Sequence, residues 1–251
     1  KELIGEGAFK SVYDAQDLIS DREVAYAVLK KEADELDKEG FLREARITAS
    51  LQHPGIIPVY DMGLTANGRP FFTMKKIGYR SLEDLLKEDG RQLSELLEIF
   101  IKVVEALSYA HSRGIIHLDL KPANIRVSRF GEVLVCDWGL AKVVETEDLD
   151  PNLEQYSLDS FEKQNFTIRG QVKGTPGYLA PEQAQGPKKI KDEKTDIYSL
   201  GAILCEILTK KLPVSGSNVK EIVENTAAGK LSIEKSSKLP ELMPVVYKAL
   251  A

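Results

Sequence analysis

The order of apolar and polar positions divides the chain into a strand-rich first third and a helix-rich remainder. Residues 2–14 and 23–31 are β-rich runs with the turn-forming pair Ser20-Asp21 between them, which predicts a hairpin. From about 35 to 52, Phe41, Leu42, Ala45, Ala49 and Leu51 recur at roughly helical spacing, and His53-Pro54-Gly55 ends the helix because proline cannot continue it. Residues 56–62 and 71–77 read as two further strands, joined by Thr65-Ala66-Asn67-Gly68, whose Asn-Gly pair favours a tight turn. After Gly78 the pattern turns helical, at about 81–88, 94–113, 193–209, 217–229 and 240–250. Between about 143 and 172 no clear periodicity is present. That stretch carries Glu145, Glu147, Asp148, Asp150, Glu154, Asp159 and Glu162 and reads as a mobile solvated loop, a composition also compatible with a regulatory segment.

This succession predicts an α+β protein of two lobes, a small β-rich one over residues 1–75 and a larger helical one over 76–251. A chain of 251 residues, 43% hydrophobic and 29% charged, has the size at which one core tends to divide. Its 34 basic against 39 acidic side chains give a net charge of −5, which offers no bulk attraction to nucleic acid or to an anionic membrane, so neither is expected as a partner. Cys136 and Cys205 each lie inside an apolar run, predicting two free thiols in a reducing, cytoplasmic compartment and no disulfide. No apolar run approaches the roughly 18 residues of a membrane span, and no leader pattern opens the chain. The start at Lys1 and the stop inside a helical pattern at 247–251 read as a trimmed domain, expected to be cytosolic even within a larger membrane-anchored protein.

Gly5-Glu6-Gly7-Ala8-Phe9-Lys10-Ser11-Val12 is a glycine-spaced turn between strand-like runs, of a kind that lets backbone N–H groups approach phosphate. Alone, two glycines in a hairpin are more often just a turn. Further on stand His117-Leu118-Asp119-Leu120-Lys121-Pro122-Ala123-Asn124, then Asp137-Trp138-Gly139 after a strand-like run over 132–136, then Ala180-Pro181-Glu182, and Asp196 in Asp196-Ile197-Tyr198-Ser199-Leu200-Gly201. Taken singly, each polar residue is a cap or a surface charge. In this order and number they resemble the protein kinase family across essentially the whole chain. The wording of His53-Pro54-Gly55-Ile56-Ile57-Pro58-Val59-Tyr60 and Asp137-Trp138-Gly139-Leu140-Ala141-Lys142 is most similar to bacterial members of the Ser/Thr class.

The resemblance implies transfer of the γ-phosphoryl of ATP to Ser or Thr hydroxyls of a protein substrate, with Mg²⁺, a chemistry dominated by positioning and charge neutralisation. It assigns Asp119 to the proton of the acceptor hydroxyl, and Asn124 and Asp137 to the metal. Lys121 would stabilise the transferred group, and Thr175, in Gly174-Thr175-Pro176-Gly177-Tyr178, would close the acceptor site. Gly5, Gly7 and Val12 would cover the nucleotide. Met74 would back the adenine pocket, with the backbone of Lys75 and Ile77 along the adenine edge. Cys136, beside the metal aspartate, is expected to be inert core packing rather than a reactive thiol.

Four departures from the family pattern stand out. Aligning Val24-Ala25-Tyr26-Ala27-Val28-Leu29 with the usual Val-Ala-Ile-Lys puts Ala27 where the phosphate-binding lysine belongs, and Lys30, an odd offset away, belongs to the opposite strand face. Lys10 takes the place of the third loop glycine. In a hairpin turning near Ser20, residue 12 pairs roughly with residue 27, so Lys10 shares the face of Ala27 at a diagonal distance of ~7–8 Å. The local pattern resembles the with-no-lysine kinases, which implies an active enzyme with Lys10 as the relocated lysine and Glu44 as its partner. The other reading of Ala27 is a pseudokinase or an engineered inactive form, a scaffold able to bind nucleotide. Leu118 replaces the arginine that commonly receives an activating phosphate, so activation is expected not to depend on one, although Ser157, Ser160 and Thr167 are open to modification. Finally, the arginine that pairs with Glu182 in the family falls beyond residue 251, leaving Glu182 without that partner.

Overall fold

The computed structural model describes residues 2–7, 9–78, 80–144, 174–186, 189–234 and 239–251. Five strands, β1 (Glu2–Glu6), β2 (Lys10–Asp17), β3 (Arg22–Leu29), β4 (Val59–Leu64) and β5 (Pro70–Lys75), form one antiparallel sheet in the order β1-β2-β3-β5-β4. The first β-rich run of the sequence is broken at Gly7, whose N–H donates to the Lys10 carbonyl at 2.8 Å and folds β1 back on β2, with Gly5 opposite Val12. The second hairpin turns at residues 18–21. There the Asp17 carboxylate accepts from the N–H groups of Ile19 and Ser20, and Asp21 adopts a left-handed φ of 53°.

Helix α1 (Glu35–Ser50) starts at a capping box in which the Asp34 side chain accepts from the Asp37 N–H and the Asp37 side chain accepts in return. Its apolar side seats Phe41 and Ala45 against Ala27, Leu29 and Phe72, with the Phe41 and Phe72 ring centroids 5.0 Å apart. Burial on this face, at about 25 cal/mol per Å² of apolar surface, fixes the helix to the sheet.

The remainder is helical. Helices α2 (Leu82–Leu86) and α3 (Leu93–Ser112) are followed by α4 (Pro181–Ala184), α5 (Glu193–Thr209), α6 (Val219–Ala227) and α7 (Met243–Ala249). Helix α3 buries Leu96, Ile99, Val103, Ala106, Leu107 and Ala110 at helical spacing, and α5 is buried nearly all round, as expected of a helix at the centre of its part of the molecule. Gly201 permits the close approach of α7, since a Cβ there would lie 2.8 Å from that of Ala249.

Short strands β6 (Arg80–Ser81), β7 (Ile115–Ile116), β8 (Ile125–Val127), β9 (Val133–Val135) and β10 (Lys142–Val143) frame the loops between the two parts. Expected element boundaries shift at several places. Ile56 makes only an isolated bridge, to Val135, and the strand begins at Val59. The last helical pattern opens with a 3₁₀ turn at Pro240–Leu242 before α7. The acidic stretch with Ser157, Ser160 and Thr167 lies outside the described residues.

Candidate active site

Where β2, β3 and α1 meet, Val12 faces Ala27 across the ladder and Lys10 lies two positions further on the same side of β2. The Lys10 ammonium pairs with the Glu44 carboxylate and stands 3.6 Å from Asp137 Oδ1. Lys30 is drawn elsewhere, to Glu6 at 2.8 Å. Burial opposes the charge on Lys10, but Glu44 and Asp137 outweigh it and hold the lysine pKa above its ordinary value. Burial pushes the Glu44 carboxyl up, and Lys10 pulls against that shift. Glu44 Oε2 is buried with no hydrogen-bond partner among the described residues, so the carboxylate is held by its contact with Lys10, against the like charge of Asp137.

The second cluster rests on the segment between β7 and β8. Lys121 Nζ lies 2.8 Å from Asp119 Oδ2 and 2.8 Å from Thr175 Oγ1, while the Thr175 hydroxyl is 3.4 Å from Asp119 Oδ1. Asn124 Nδ2 donates to the Asp119 carbonyl at 2.9 Å. This loop is anchored from beneath. The buried carboxylate of Asp196, on α5, accepts from the backbone N–H groups of His117 and Leu118 and contacts His111 Nε2 at 2.8 Å. Gln183 Nε2 donates to the Leu118 carbonyl at 2.7 Å. These bonds hold Leu118 at a φ of 65°, a left-handed value costly for a leucine and of the kind over-determined surroundings maintain at active sites.

His117 links the two clusters, a role the sequence did not announce. The Asp119 N–H donates to His117 Nδ1 at 3.2 Å, and an N–H can only donate, so Nδ1 is the acceptor nitrogen. Nε2 therefore carries the proton that it gives to the Cys136 carbonyl at 3.1 Å. The ring is fully buried against Trp138, centroids 4.6 Å apart, and ties the backbone of Asp119 to the residue before Asp137.

Val12 and Met74 are partly buried and pack against the cluster that contains Ala27. The N–H of Lys75 is used by the Pro58 carbonyl at 3.1 Å, while that of Ile77 makes no hydrogen bond among the described residues and remains available to a ligand edge. Gly5 and Gly7 lie in the β1–β2 hairpin, Gly5 opposite Val12 and Gly7 bonded to the Lys10 carbonyl. The Cys136 thiol is pushed up to about 12 by burial, as suits a packing residue.

Asn124 and Asp137 form an oxygen donor pair that suits a hard divalent cation, which characteristically takes one or two protein oxygens plus phosphate. Because Asn124 commits its amide nitrogen to Asp119, its carbonyl oxygen is the atom left for coordination. Asp137 sits at a φ of 64° with its side chain about half exposed, and two residues on Gly139 approaches the same carboxylates closely, since a Cβ there would lie 3.3 Å from Glu44 Oε2 and 3.5 Å from Asp137 Oδ1. The Asp137 carboxylate and the Asn124 carbonyl oxygen are donors of the type a hard divalent cation takes.

Other placements differ from the sequence reading or go beyond it. Glu182 is not left bare, since the Thr195 hydroxyl donates to it at 2.5 Å. The Tyr178 hydroxyl donates to Glu206 at 2.6 Å, pinning the segment after Thr175 to α5. Arg43, beside Glu44 in the sequence, reaches the Ala141 carbonyl. Among the described residues no helix is long and apolar enough to cross a membrane.

A family model described as the protein kinase domain matches residues 1–248. The serine/threonine-protein kinase PknD of Chlamydia muridarum is 34% identical, aligned over 99% of this chain and 29% of its own length. PknD of Chlamydia trachomatis serovar D is 38% identical over 84% of this chain and 24% of its own, and that of Protochlamydia amoebophila is 34% identical over 88% and 24%. The chain thus spans less than a third of the length of these relatives. Its match to the family extends across both the sheet and the helices, and the chain belongs to the protein kinase family, with the strand-rich and helical parts as its two lobes.

Proposed function

We propose that this chain is a serine/threonine protein kinase domain that transfers the γ-phosphoryl of ATP to protein hydroxyls with Mg²⁺, and that Lys10 stands in for the strand lysine absent at Ala27. The observation that carries this reading is the Lys10–Glu44 pair beside Asp137, on the same strand face as Ala27. It supports catalysis over a scaffold role, because the ammonium, the metal donors and the acceptor-side aspartate converge on one cleft.

In this mechanism the apolar side chains of Val12, Ala27 and Met74 take the adenine, with Lys75 and Ile77 along its edge and Gly5 and Gly7 over the phosphates. Lys10 donates to phosphate oxygens while Glu44 holds its ammonium in place. Asn124 and Asp137 would hold Mg²⁺ through their side-chain oxygens, and the ion would supply charge neutralisation for the transfer. Asp119 orients the acceptor hydroxyl and takes its proton as the new O–P bond forms and the bond to the ADP oxygen breaks. Lys121 neutralises the transferred group, and Thr175 fixes Lys121 and Asp119 relative to each other. The net charge of −5 favours a protein partner over nucleic acid, and the greater length of the relatives supports a domain within a larger protein.

The test is ³²P transfer from Mg-ATP to a generic Ser/Thr acceptor by the wild type, Lys10→Ala, Ala27→Lys and Asp119→Asn. An active wild type that loses transfer in Lys10→Ala and Asp119→Asn is the expected result. A silent wild type that becomes active only as Ala27→Lys overturns the relocated lysine.

A further inference from the structure

Helix α1 reaches the turn that bears the metal aspartate in two ways, through Lys10, which Glu44 holds beside Asp137, and through Arg43. Arg43 is buried at 8% exposure, and its Nη1 donates at 2.7 Å to the carbonyl of Ala141, a residue 98 positions away and itself fully buried. The Ala141 N–H in turn donates to the Trp138 carbonyl at 3.0 Å, closing residues 138–141 into a turn directly after Asp137. Trp138 is buried at its other end, with Nε1 donating to Val135.

Neighbouring helix positions are 100° apart, so Arg43 and Glu44 address different surfaces from one rigid rod. Glu44 faces Lys10, Gly139 and Asp137, while Arg43 clasps the far end of the same turn. Leu118 has no charge with which to hold this segment from the catalytic loop; it is buried, and its backbone is taken by Asp196 and Gln183.

We propose that Arg43 is a positioning residue for the magnesium site. Its bond to Ala141 fixes the Asp137-to-Ala141 turn against α1, so the metal aspartate is aligned with Lys10 without a phosphate on the segment that follows. This rests on the kinase reading above for the identity of the metal-nucleotide ligand, but the tie itself is readable in the unliganded protein. Trp138 is the single tryptophan of the chain and lies inside the clasped turn, so its fluorescence reports on that turn alone.

The test uses the wild type, Arg43→Ala and Arg43→Lys, with two readouts. The first is acrylamide quenching of Trp138 without ligand. The second is the Mg²⁺ dependence of binding of a fluorescent ATP analogue. In Arg43→Ala, with unchanged far-UV circular dichroism, Trp138 becomes more quenchable and the Mg²⁺ concentration required rises about 10–100-fold, as for loss of a group that orients a metal ligand. Binding of the analogue without Mg²⁺ stays as in the wild type. Arg43→Lys, which keeps one donor, falls between the two. If Arg43→Ala does not fold, Arg43→Met keeps the packing of the stem and removes the donor, and the same criteria apply to it. Quenching and Mg²⁺ dependence equal to the wild type in the donor-free variant overturn the proposal. A wild type that shows no Mg²⁺-dependent analogue binding overturns the kinase reading instead, and the quenching comparison still decides whether Arg43 holds the turn.

Discussion

Val12 stands directly opposite Ala27 in the β2–β3 ladder, and Lys10, one residue pair further along the same strand face, delivers its ammonium to Glu44. The carboxylate of α1 is therefore engaged although the strand it packs against offers only a methyl group.

Removing the ammonium leaves Glu44 buried without its counter-charge. Lys10→Met is expected to lower unfolding stability by about 3 kcal/mol, the low end for breaking a buried pair because Lys10 retains some solvent contact. Adding Glu44→Gln to Lys10→Met removes the stranded charge and recovers most of that loss without restoring phosphoryl transfer. Urea titrations of the four members of this cycle measure the coupling, and additive effects would show that the two side chains do not interact.

A lysine restored to the strand competes for the same carboxylate. Ala27 is fully buried against Phe41, Ala45 and Phe72, so Ala27→Lys alone overpacks this corner by about 1–3 kcal/mol and brings two ammoniums to one acid. The single variant is expected to be less stable and less active than the wild type, whereas Lys10→Ala/Ala27→Lys regains part of the transfer that Lys10→Ala loses. Paired thermal melts and initial rates distinguish the two outcomes.

The pH dependence of the Lys10 contribution has a defined sign. A lysine held above its ordinary pKa stabilises the fold fully below the unfolded value, near pH 10.4, and loses that contribution as pH rises through the folded value. The stability difference between the wild type and Lys10→Met should be level from neutrality to about pH 10 and shrink beyond it. Denaturation followed at a series of alkaline pH values gives this difference directly.

Burial raises the thiol pKa of both Cys136 and Cys205, Cys136 to about 12, so both remain protonated at pH 8 in the native state. Ellman's reagent should find neither cysteine before unfolding and both in denaturant. Rapid native labelling of Cys136 would mark it as a reactive thiol beside the nucleotide.

Leu118 offers an activating phosphate no cationic partner from the catalytic loop. Phosphatase-treated enzyme should retain its rate to within a few-fold, against the losses of about 10²-fold that follow misplacement of a catalytic group. A hundredfold gain on phosphorylation of the segment after Val144 would contradict this.

Some of the architecture is written in the chain order itself. The helix spacing in α3, the capping box at Asp34 and the hairpin turn at residues 18–21 are local, and each sets its own geometry from neighbours a few positions away. The catalytic motifs are legible for the same reason, because Asp119, Lys121 and Asn124 lie on one short loop, and the Val12–Ala27 register follows from where the hairpin turns. The two-residue strands β6, β7 and β10 have no readable period, since two residues cannot display an alternation. They exist only because partners distant in sequence pair with them.

By itself, then, the sequence determined which groups make up the family's motifs, the order in which the two lobes follow, and the absence of a lysine at position 27. The tertiary structure decided how those groups are held. Thr195 reaching Glu182, Tyr178 reaching Glu206, Asp196 gathering His111 and the backbone of His117 and Leu118, and Arg43 clasping Ala141 all join segments brought together by packing. The physical reason is that a buried donor or acceptor must find a partner wherever the closed core places one, and no local pattern along the chain encodes that neighbour.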